Sequence, residues 1–513
     1  MTENRGQTTV SRRAENRGPS PVLDLLVIGG GINGAGIARD AAGRGLAVTL
    51  VEQGDLASAT SSWSSKLIHG GLRYLEQYEF RLVREALQER EVLLRLAPHI
   101  IRPLMFVLPY DASMRPAWMI RTGLWIYDHL GGPITLPGSK AVKFPHMEFG
   151  AGLDSRIRSG FVYSDCRVDD SRLTVLNAVS AREKGATILT RTRFEGAKRV
   201  GSEWEATIAR VGGAPRTVRA KGLVNAAGPW VVDVLDRIEG DRITDRVRLV
   251  KGSHIIVPKV HSQGHALILQ NPDNRVVFVI PYEGRFSLIG TTDVAVKSVA
   301  EAAAITPEET EYLLAAANRF LAKPLSAADI VSSYAGVRPL YDDGSDNPSE
   351  VTRDYVLKVD KGAGDTAPLL TVFGGKITTY RRLAEEALAM LGPFFPSCKG
   401  AWTYGEELPG GDVGHFNAFR DAMHANYPDL GRELVEGVVR RHGSRAPRVF
   451  REARKPEALG QSFGAGLTQR EVEYLVAEEW AETADDVLWR RTKCGLHMSG
   501  PQREAVAQFM KKP

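Results

Sequence analysis

Cysteine is scarce in this chain. Cys166, Cys398 and Cys494 are the only three among 513 residues. They are odd in number, far apart and without metal-ligand spacing, which excludes a disulfide framework and a thiolate-bound metal and fits reduced thiols in a cytosolic protein. No metal site is expected. Long hydrophobic runs are missing as well: no span of about 18 uncharged apolar residues occurs, so no transmembrane helix is expected. Residues 1–21 are polar, carry three arginines between Arg12 and Arg17, and lack the apolar centre of a signal peptide; they read as a disordered extension. An excess of one charge is also absent, with 66 Lys and Arg against 61 Asp and Glu and a formal net charge of +5. That leaves no nucleic-acid footprint, while a mildly basic balance suits an anionic lipid surface or an acidic substrate. The length allows two or three domains with a sizeable core.

What is present is a glycine cluster in a telling place. Asp24–Ile28 is apolar after its first residue and rich in branched side chains, as a strand buried on both faces should be. Gly29, Gly31 and Gly34 follow in G-x-G-x-x-G register, Ile32–Gly43 reads as an alanine-rich helix, and Ala47–Val51 reads as a second buried strand ending in Glu52. Such a βαβ unit binds a dinucleotide: Gly29 permits the turn, Gly31 lets the backbone approach a pyrophosphate, Gly34 lets helix and strand pack closely, and Glu52 meets the ribose. An acid at that position suits NAD and FAD alike.

The stretch Ala59–Glu76, ATSSWSSKLIHGGLRYLE, is dense in hydroxyls and glycines and leads into a helix at about Leu72. It reads either as a ligand-presenting loop or as a polar surface loop. Phe80–Leu96 reads as an amphipathic helix. Ile101–Leu130 mixes Met105, Trp118, Met119 and Trp125 with Arg102, Arg115 and Arg121; this suits a membrane interface or a buried helix with charged ends.

Taken with Asp24–Glu52, the motifs ATSS, SSKLIHGGLRYLE, GPW, GVRPL, GGKITTYR and a C-terminal WRRTKCG fall in an order that resembles the FAD-dependent, aerobic-type glycerol-3-phosphate dehydrogenases of bacteria. The resemblance runs from Asp24 to the WRRTKCG segment. It implies an α/β fold: a Rossmann-type FAD-binding domain of the glutathione-reductase or amino-acid-oxidase type, an antiparallel substrate domain and a helical C-terminal domain. It also implies FAD contacts at Gly29, Gly31, Asn33, Gly34, Glu52, Thr60, Ser61, Ser62, Lys66, Leu67, His69, Phe194, Gly228, Gly336, Gly375, Lys376, Thr378 and Thr379, with Trp230 and Gly374 beside them. Arg73 and Tyr74 match positions near the substrate phosphate, and Arg338 in its G-x-R-P setting resembles an anion-clamping arginine. A guanidinium suits a phosphate dianion because it donates two parallel hydrogen bonds.

The remaining segments fit that frame. Val162–Phe194 reads as a helix from about Ser171, capped by Asp170, then a strand at Ala186–Thr190; Gly222–Ala226 reads as a strand. Between His254 and Asp293 three strand-like runs, with a turn at Glu283-Gly284, form a cap sheet whose strands span about 240–340. Thr306-Pro307-Glu308-Glu309 is a capping box opening a helix that ends before Pro324. The glycine pair before Lys376 makes a nest of amides that, with the lysine, would stabilise a reduced anionic flavin. His254 is the candidate general base because an unperturbed imidazole titrates near working pH. Residues 22–390 are expected to form the FAD domain with its interleaved cap, and 391–513 a helical domain with a capping box at Thr468 and Glu471 and no catalytic constellation, serving packing, dimer contacts and membrane contact.

The expected reaction is oxidation of sn-glycerol 3-phosphate to dihydroxyacetone phosphate by hydride transfer to FAD, with electrons passed to a membrane quinone. The expected form is a homodimer held peripherally on the inner face of the cytoplasmic membrane. An oxidase using dioxygen and a non-catalytic flavin-binding protein are the alternatives.

Overall fold

A computed structural model describes residues 22–111, 115–144, 148–240, 243–342, 354–362, 364 and 367–511. The expected extension at 1–21 lies outside the described residues. The opening unit forms as its pattern requires: strand β1 (Leu23–Ile28), helix α1 (Ile32–Gly43) and strand β2 (Val48–Val51). β1 sits at the centre of a parallel array, flanked by β2 with Leu25 opposite Val48 and by the Arg216–Asn225 strand with Leu25 opposite Gly222. The Thr187–Leu189 and Leu369–Phe373 strands extend the array outward. Leu25, Leu26 and Val27 are fully buried on both faces, which explains their unbroken apolar run.

Small residues let α1 approach its neighbours. A Cβ at Gly36 would lie 2.8 Å from the Tyr380 ring, and one at Gly43 would lie 2.1 Å from Trp402. Ala35, Ala38, Ala41 and Ala42 are buried in the same cluster as Val175, Val179, Leu383 and Ala387, which come from the Asp170–Glu183 and Tyr380–Leu391 helices.

The second sheet differs from the one expected. Its ten strands include Leu67–Ile68, Ile101–Tyr110, Lys140–Lys143 and Ser159–Val168 besides the strands after Val247. One pairing in it is parallel, Ala266 and Leu267 against Phe106 and Val107. Ile101–Leu130 is therefore not one helix: its first ten residues are a strand paired along its length with Ser159–Val168, and only Ala117–Leu130 is helical. A partner strand 49 to 67 residues away along the chain decides the first half, which local periodicity does not register.

Several boundaries are corrected too. The Asp170–Glu183 helix is capped by Asp169, which accepts from the Arg172 amide, while Asp170 is buried and bound to Lys66. Thr306 and Glu309 form the reciprocal capping box, worth about 1 kcal/mol. At Thr468 only half of the box forms: the hydroxyl accepts from the Glu471 amide, but the Glu471 carboxylate turns to Arg441 and His442. The expected helix at Leu72 is a 3₁₀ segment, Leu72–Gln77. After Trp402 the chain forms a helical unit of its own around Val435, Val438, Val472 and Leu475. Buried ion pairs tie it to the first domain, among them Arg172 with Glu479 and Lys493 with Asp169 at 2.7 Å.

Candidate active site

At the C-terminal ends of the parallel strands lies a cleft of about 600 Å³, where an open α/β sheet binds its ligand. Its floor is the glycine loop. Gly29 has φ +111°, and a Cβ there would sit 2.5 Å from the Ala226 carbonyl oxygen. Gly31 is extended, and Gly34 presses so close to the strand that a Cβ would lie 2.0 Å from the Gly29 oxygen. Helix α1 thus aims its N-terminal amides across a floor that carries no glycine-loop Cβ, the first of those amides, at Ile32, being taken by the Ser61 hydroxyl.

Glu52 closes one end. Its carboxylate accepts from the Gly30 amide at 2.6 Å and the Gly54 amide at 2.7 Å. Burial pushes its pKa up, and the two amides pull it partly back. Thr60, Ser61, Phe194, Gly228, Trp230, Gly374 and Gly375 line the cleft, drawn from four separate stretches of chain. Cross-bonds hold them in register: Ser61 Oγ accepts from the Ile32 amide at 2.9 Å, Thr60 Oγ1 donates to the Val337 carbonyl at 2.7 Å, and Asn33 Nδ2 donates to the Gly374 carbonyl at 3.1 Å.

The other expected contacts lie elsewhere. Lys66 is buried, and its ammonium donates to the Ser62 carbonyl at 2.7 Å and to both Asp170 oxygens at 2.9 Å, so its charge is spent on the core. Leu67 packs in the second sheet's core. The His69 amide donates to Thr378 Oγ1 at 3.3 Å, and Thr379 is buried beside it. Gly336 lies on the Ser332–Tyr341 strand against Trp63, where a Cβ would come within 2.9 Å.

Three basic residues, two of them cationic and one a neutral imidazole, stand nearer the second sheet. Lys376 Nζ lies 3.9 Å from the centre of the Tyr74 ring. Arg338 pairs with Asp293 at 2.9 Å and donates to the Thr292 carbonyl at 3.0 Å; both side chains of the pair are 31% exposed, so the pair stays open to exchange. His254 lies opposite Tyr334 across the Val247–Pro258 and Ser332–Tyr341 strands, stacks on that ring at 4.9 Å, and shares a 2.9 Å hydrogen bond between Nε2 and Ser65 Oγ. Burial, then Lys66 and Arg338, push its pKa down to about 3. The reason for choosing it, an unperturbed pKa, therefore does not hold: the ring is firmly neutral. Arg73 lines a different, larger cleft together with Glu76, Arg115 and Trp118.

Sequence reading missed Ser65, although it lies within the SSKLIHGGLRYLE motif, and Thr292 and Asp293, which follow a strand with no motif of their own. It also left WRRTK without a task, although Arg490 and Arg491 reach Asp55, three residues past Glu52. Among the described residues no group of three His, Cys, Asp or Glu side chains could hold a metal.

A family of FAD-dependent oxidoreductases matches residues 24–381, and the C-terminal domain of alpha-glycerophosphate oxidase matches residues 402–512. A glycerol-3-phosphate dehydrogenase of Pseudomonas aeruginosa is 52% identical over 490 residues, spanning 95% of this chain and 95% of its own. The chain belongs to the FAD-dependent glycerol-3-phosphate dehydrogenase family. Within reach of the same similarity lies a D-erythritol 1-phosphate dehydrogenase of Brucella abortus, 52% identical over 489 residues and covering 95% and 97% of the two chains. The glycerol-3-phosphate dehydrogenase of Bacillus halodurans, solved in complex with FAD, superposes with a TM-score of 0.76 at 29% identity over 96% of this chain and 90% of that one. FAD is the cofactor of the family, and this cleft suits it: a cavity of about 600 Å³, a Cβ-free floor under helix amides, and a half-buried carboxylate at the end of β2.

Proposed function

We propose that the protein oxidises sn-glycerol 3-phosphate to dihydroxyacetone phosphate. Bound FAD supplies the two-electron acceptor. Gly29, Gly31, Asn33 and Gly34 hold its pyrophosphate, Glu52 its ribose, Thr60, Ser61, Gly228, Gly374 and Gly375 its length, and Phe194 its far end; Lys376, at the edge, favours negative charge. Arg338 exchanges Asp293 for the substrate phosphate, with Tyr74 beside Lys376, while Arg73 stays on the larger cleft. The observation that carries this reading is that Arg338 and His254 stand on neighbouring strands of one sheet, which pair Val250 with Arg338 and His254 with Tyr334, four register positions apart.

His254 takes the proton from the C2 hydroxyl through Nδ1, which has no hydrogen-bond partner among the described residues, while Ser65 fixes the ring at Nε2. A neutral ring is the form a base must have, and a phosphate dianion at Arg338 removes one of the charges that hold its pKa down. Anaerobic mixing with sn-glycerol 3-phosphate tests the proposal: the flavin should bleach within the dead time or the first seconds, and a silent mixture would overturn it.

A second substrate reading is favoured by the equal similarity to a D-erythritol 1-phosphate dehydrogenase. The same site would then take a four-carbon polyol phosphate, and the ratio of kcat/KM for the two substrates decides between them. For the electron acceptor we propose a membrane quinone. Trp118, Trp125 and Met119 stand 67%, 60% and 41% exposed on the Ala117–Leu130 helix near Arg115 and Arg121, a composition suited to a lipid surface. No helix among the described residues is long and apolar enough to cross a membrane, so attachment would be peripheral. Reoxidation by quinone against air separates this from the oxidase reading.

A further inference from the structure

A second cavity, of about 510 Å³, lies away from the FAD cleft, at the seam between the second sheet and the C-terminal helices. Its walls bring like charges together. Arg102 and Arg167 stand directly opposite each other on the paired Ile101–Tyr110 and Ser159–Val168 strands, an arrangement that is unfavourable on its own. Arg440 reaches the same cavity from the Arg432–His442 helix.

Little in the protein answers this charge. Arg440 Nε donates to Glu436 at 2.5 Å. Arg102 donates to the His99 carbonyl at 3.0 Å and lies 4.5 Å from the Phe416 ring centre, neither of which is an anion. Arg167 makes no side-chain hydrogen bond or ion pair with the described residues. Glu283 and Glu433 also face the space, yet no ion pair joins either to these arginines among the described residues. His99 is 1% exposed and lines the same cavity, and neither of its ring nitrogens has a partner among the described residues. Burial together with Arg440 and Arg167 pushes the Arg102 pKa down to about 9, and burial with Arg440 lowers that of Arg167. Half-buried guanidinium groups normally find a carboxylate or a phosphate.

We propose that this cavity is an anion site in which Arg102, Arg167 and Arg440 bind a phosphate group, either inorganic phosphate or a phosphate monoester. Two planar guanidinium groups in strand register supply parallel donors, and the third comes from the other domain, so occupancy fastens the C-terminal helices to the second sheet. The chemistry fits a soluble phosphate and a lipid phosphate headgroup alike.

The test uses the full-length, FAD-loaded protein, first without substitution and then as one variant. Phenylglyoxal labelling is followed arginine by arginine by mass spectrometry, with inorganic phosphate, with phosphatidylcholine vesicles containing phosphatidic acid, or with neither. Phosphate should slow modification of Arg102 and Arg167 about five-fold, as expected for charge-assisted bidentate contacts, and leave the exposed Arg210 unchanged. Protection by the vesicles and not by free phosphate would assign the lipid source and still support the site. Protection confined to Arg338, or at no arginine, would overturn it. Arg167→Gln should lower phosphate affinity about ten-fold in calorimetry while flavin content and turnover stay as in the parent; an unchanged isotherm would count against the proposal.

Discussion

Asp55 and Arg491 are 436 residues apart in the chain and meet as a two-pronged pair, Arg491 Nη1 donating to Oδ2 at 2.7 Å and Nη2 to Oδ1 at 2.8 Å. Arg490 Nε adds a third bond to Asp55 Oδ2 at 2.6 Å. Both members of the pair are buried, with Asp55 3% and Arg491 0% exposed. Asp55 follows Glu52 and Gly54 in the turn after β2, so the C-terminal domain holds the loop that carries Glu52 at one end of the cleft.

Removing one partner of such a pair strands a buried charge and costs about 3–5 kcal/mol. Arg491→Met should therefore weaken FAD binding by the apoprotein at least about ten-fold in a fluorescence titration, beyond its effect on thermal stability. Wild-type FAD affinity in the variant would show that the clamp serves packing alone.

Gly34→Ala places a methyl group 2.0 Å from the Gly29 oxygen, where only backbone could yield. The purified variant should carry no flavin absorbance. As a control, Gly123 sits within the Ala117–Leu130 helix with nothing within 4 Å of a built Cβ. Gly123→Ala should be neutral or stabilise by about 0.5–1 kcal/mol, read as a raised Tm with full flavin content.

Loss of a general base costs about 10²–10⁴-fold in rate. His254→Gln should reduce the anaerobic rate of flavin bleaching within that range and leave substrate affinity close to that of the parent. An unchanged bleaching rate would remove His254 from the mechanism without touching the FAD assignment.

Acid should loosen the C-terminal domain in a defined window. Burial alone would raise the Glu471 pKa, yet Arg441 and the hydrogen bond from His442 hold it down to about 2 against an ordinary 4.5. Its folded pKa is depressed, so its contribution is full above pH 4.5 and is lost as the pH falls towards 2, about 1.4 kcal/mol per unit. Chemical denaturation at stepped pH should show that slope, and Glu471→Gln should flatten it.

If the Ala117–Leu130 helix meets lipid, replacing Trp118 and Trp125 with Glu should abolish sedimentation with anionic vesicles while flavin reduction by substrate stays intact. The Arg115→Glu, Arg121→Glu double variant should lose binding in a salt-sensitive manner. Full vesicle binding by both variants would place the membrane surface elsewhere.

Legibility in the sequence followed the range of the forces involved. The glycine loop, β1, α1 and the Thr306 capping box are local devices, in which a missing Cβ or a hydroxyl three residues from an acid carries its own geometry, and all four stand where expected. The strand at Ile101–Tyr110 was hidden because its partners lie far along the chain. A helix start prefers an acid, which points to Asp170 as the cap, but Lys66, 104 residues away, binds it and leaves the cap to Asp169. His254 was chosen on its free-solution pKa, which burial beside Lys66 and Arg338 then lowered.

The amino-acid order alone determined that a dinucleotide unit opens the chain and that the motifs follow one another as in the FAD-dependent glycerol-3-phosphate dehydrogenases, because turn chemistry, helix caps and strand patterning act over a few residues. Only the tertiary structure decided which polar groups share a space: that Lys66 serves Asp170 and not the cleft, that Arg338 faces Asp293, that Arg490 and Arg491 grip Asp55, and that Arg102 and Arg167 stand side by side. Charges act through space at distances the chain crosses only by folding, so their partners are fixed by packing and not by sequence separation.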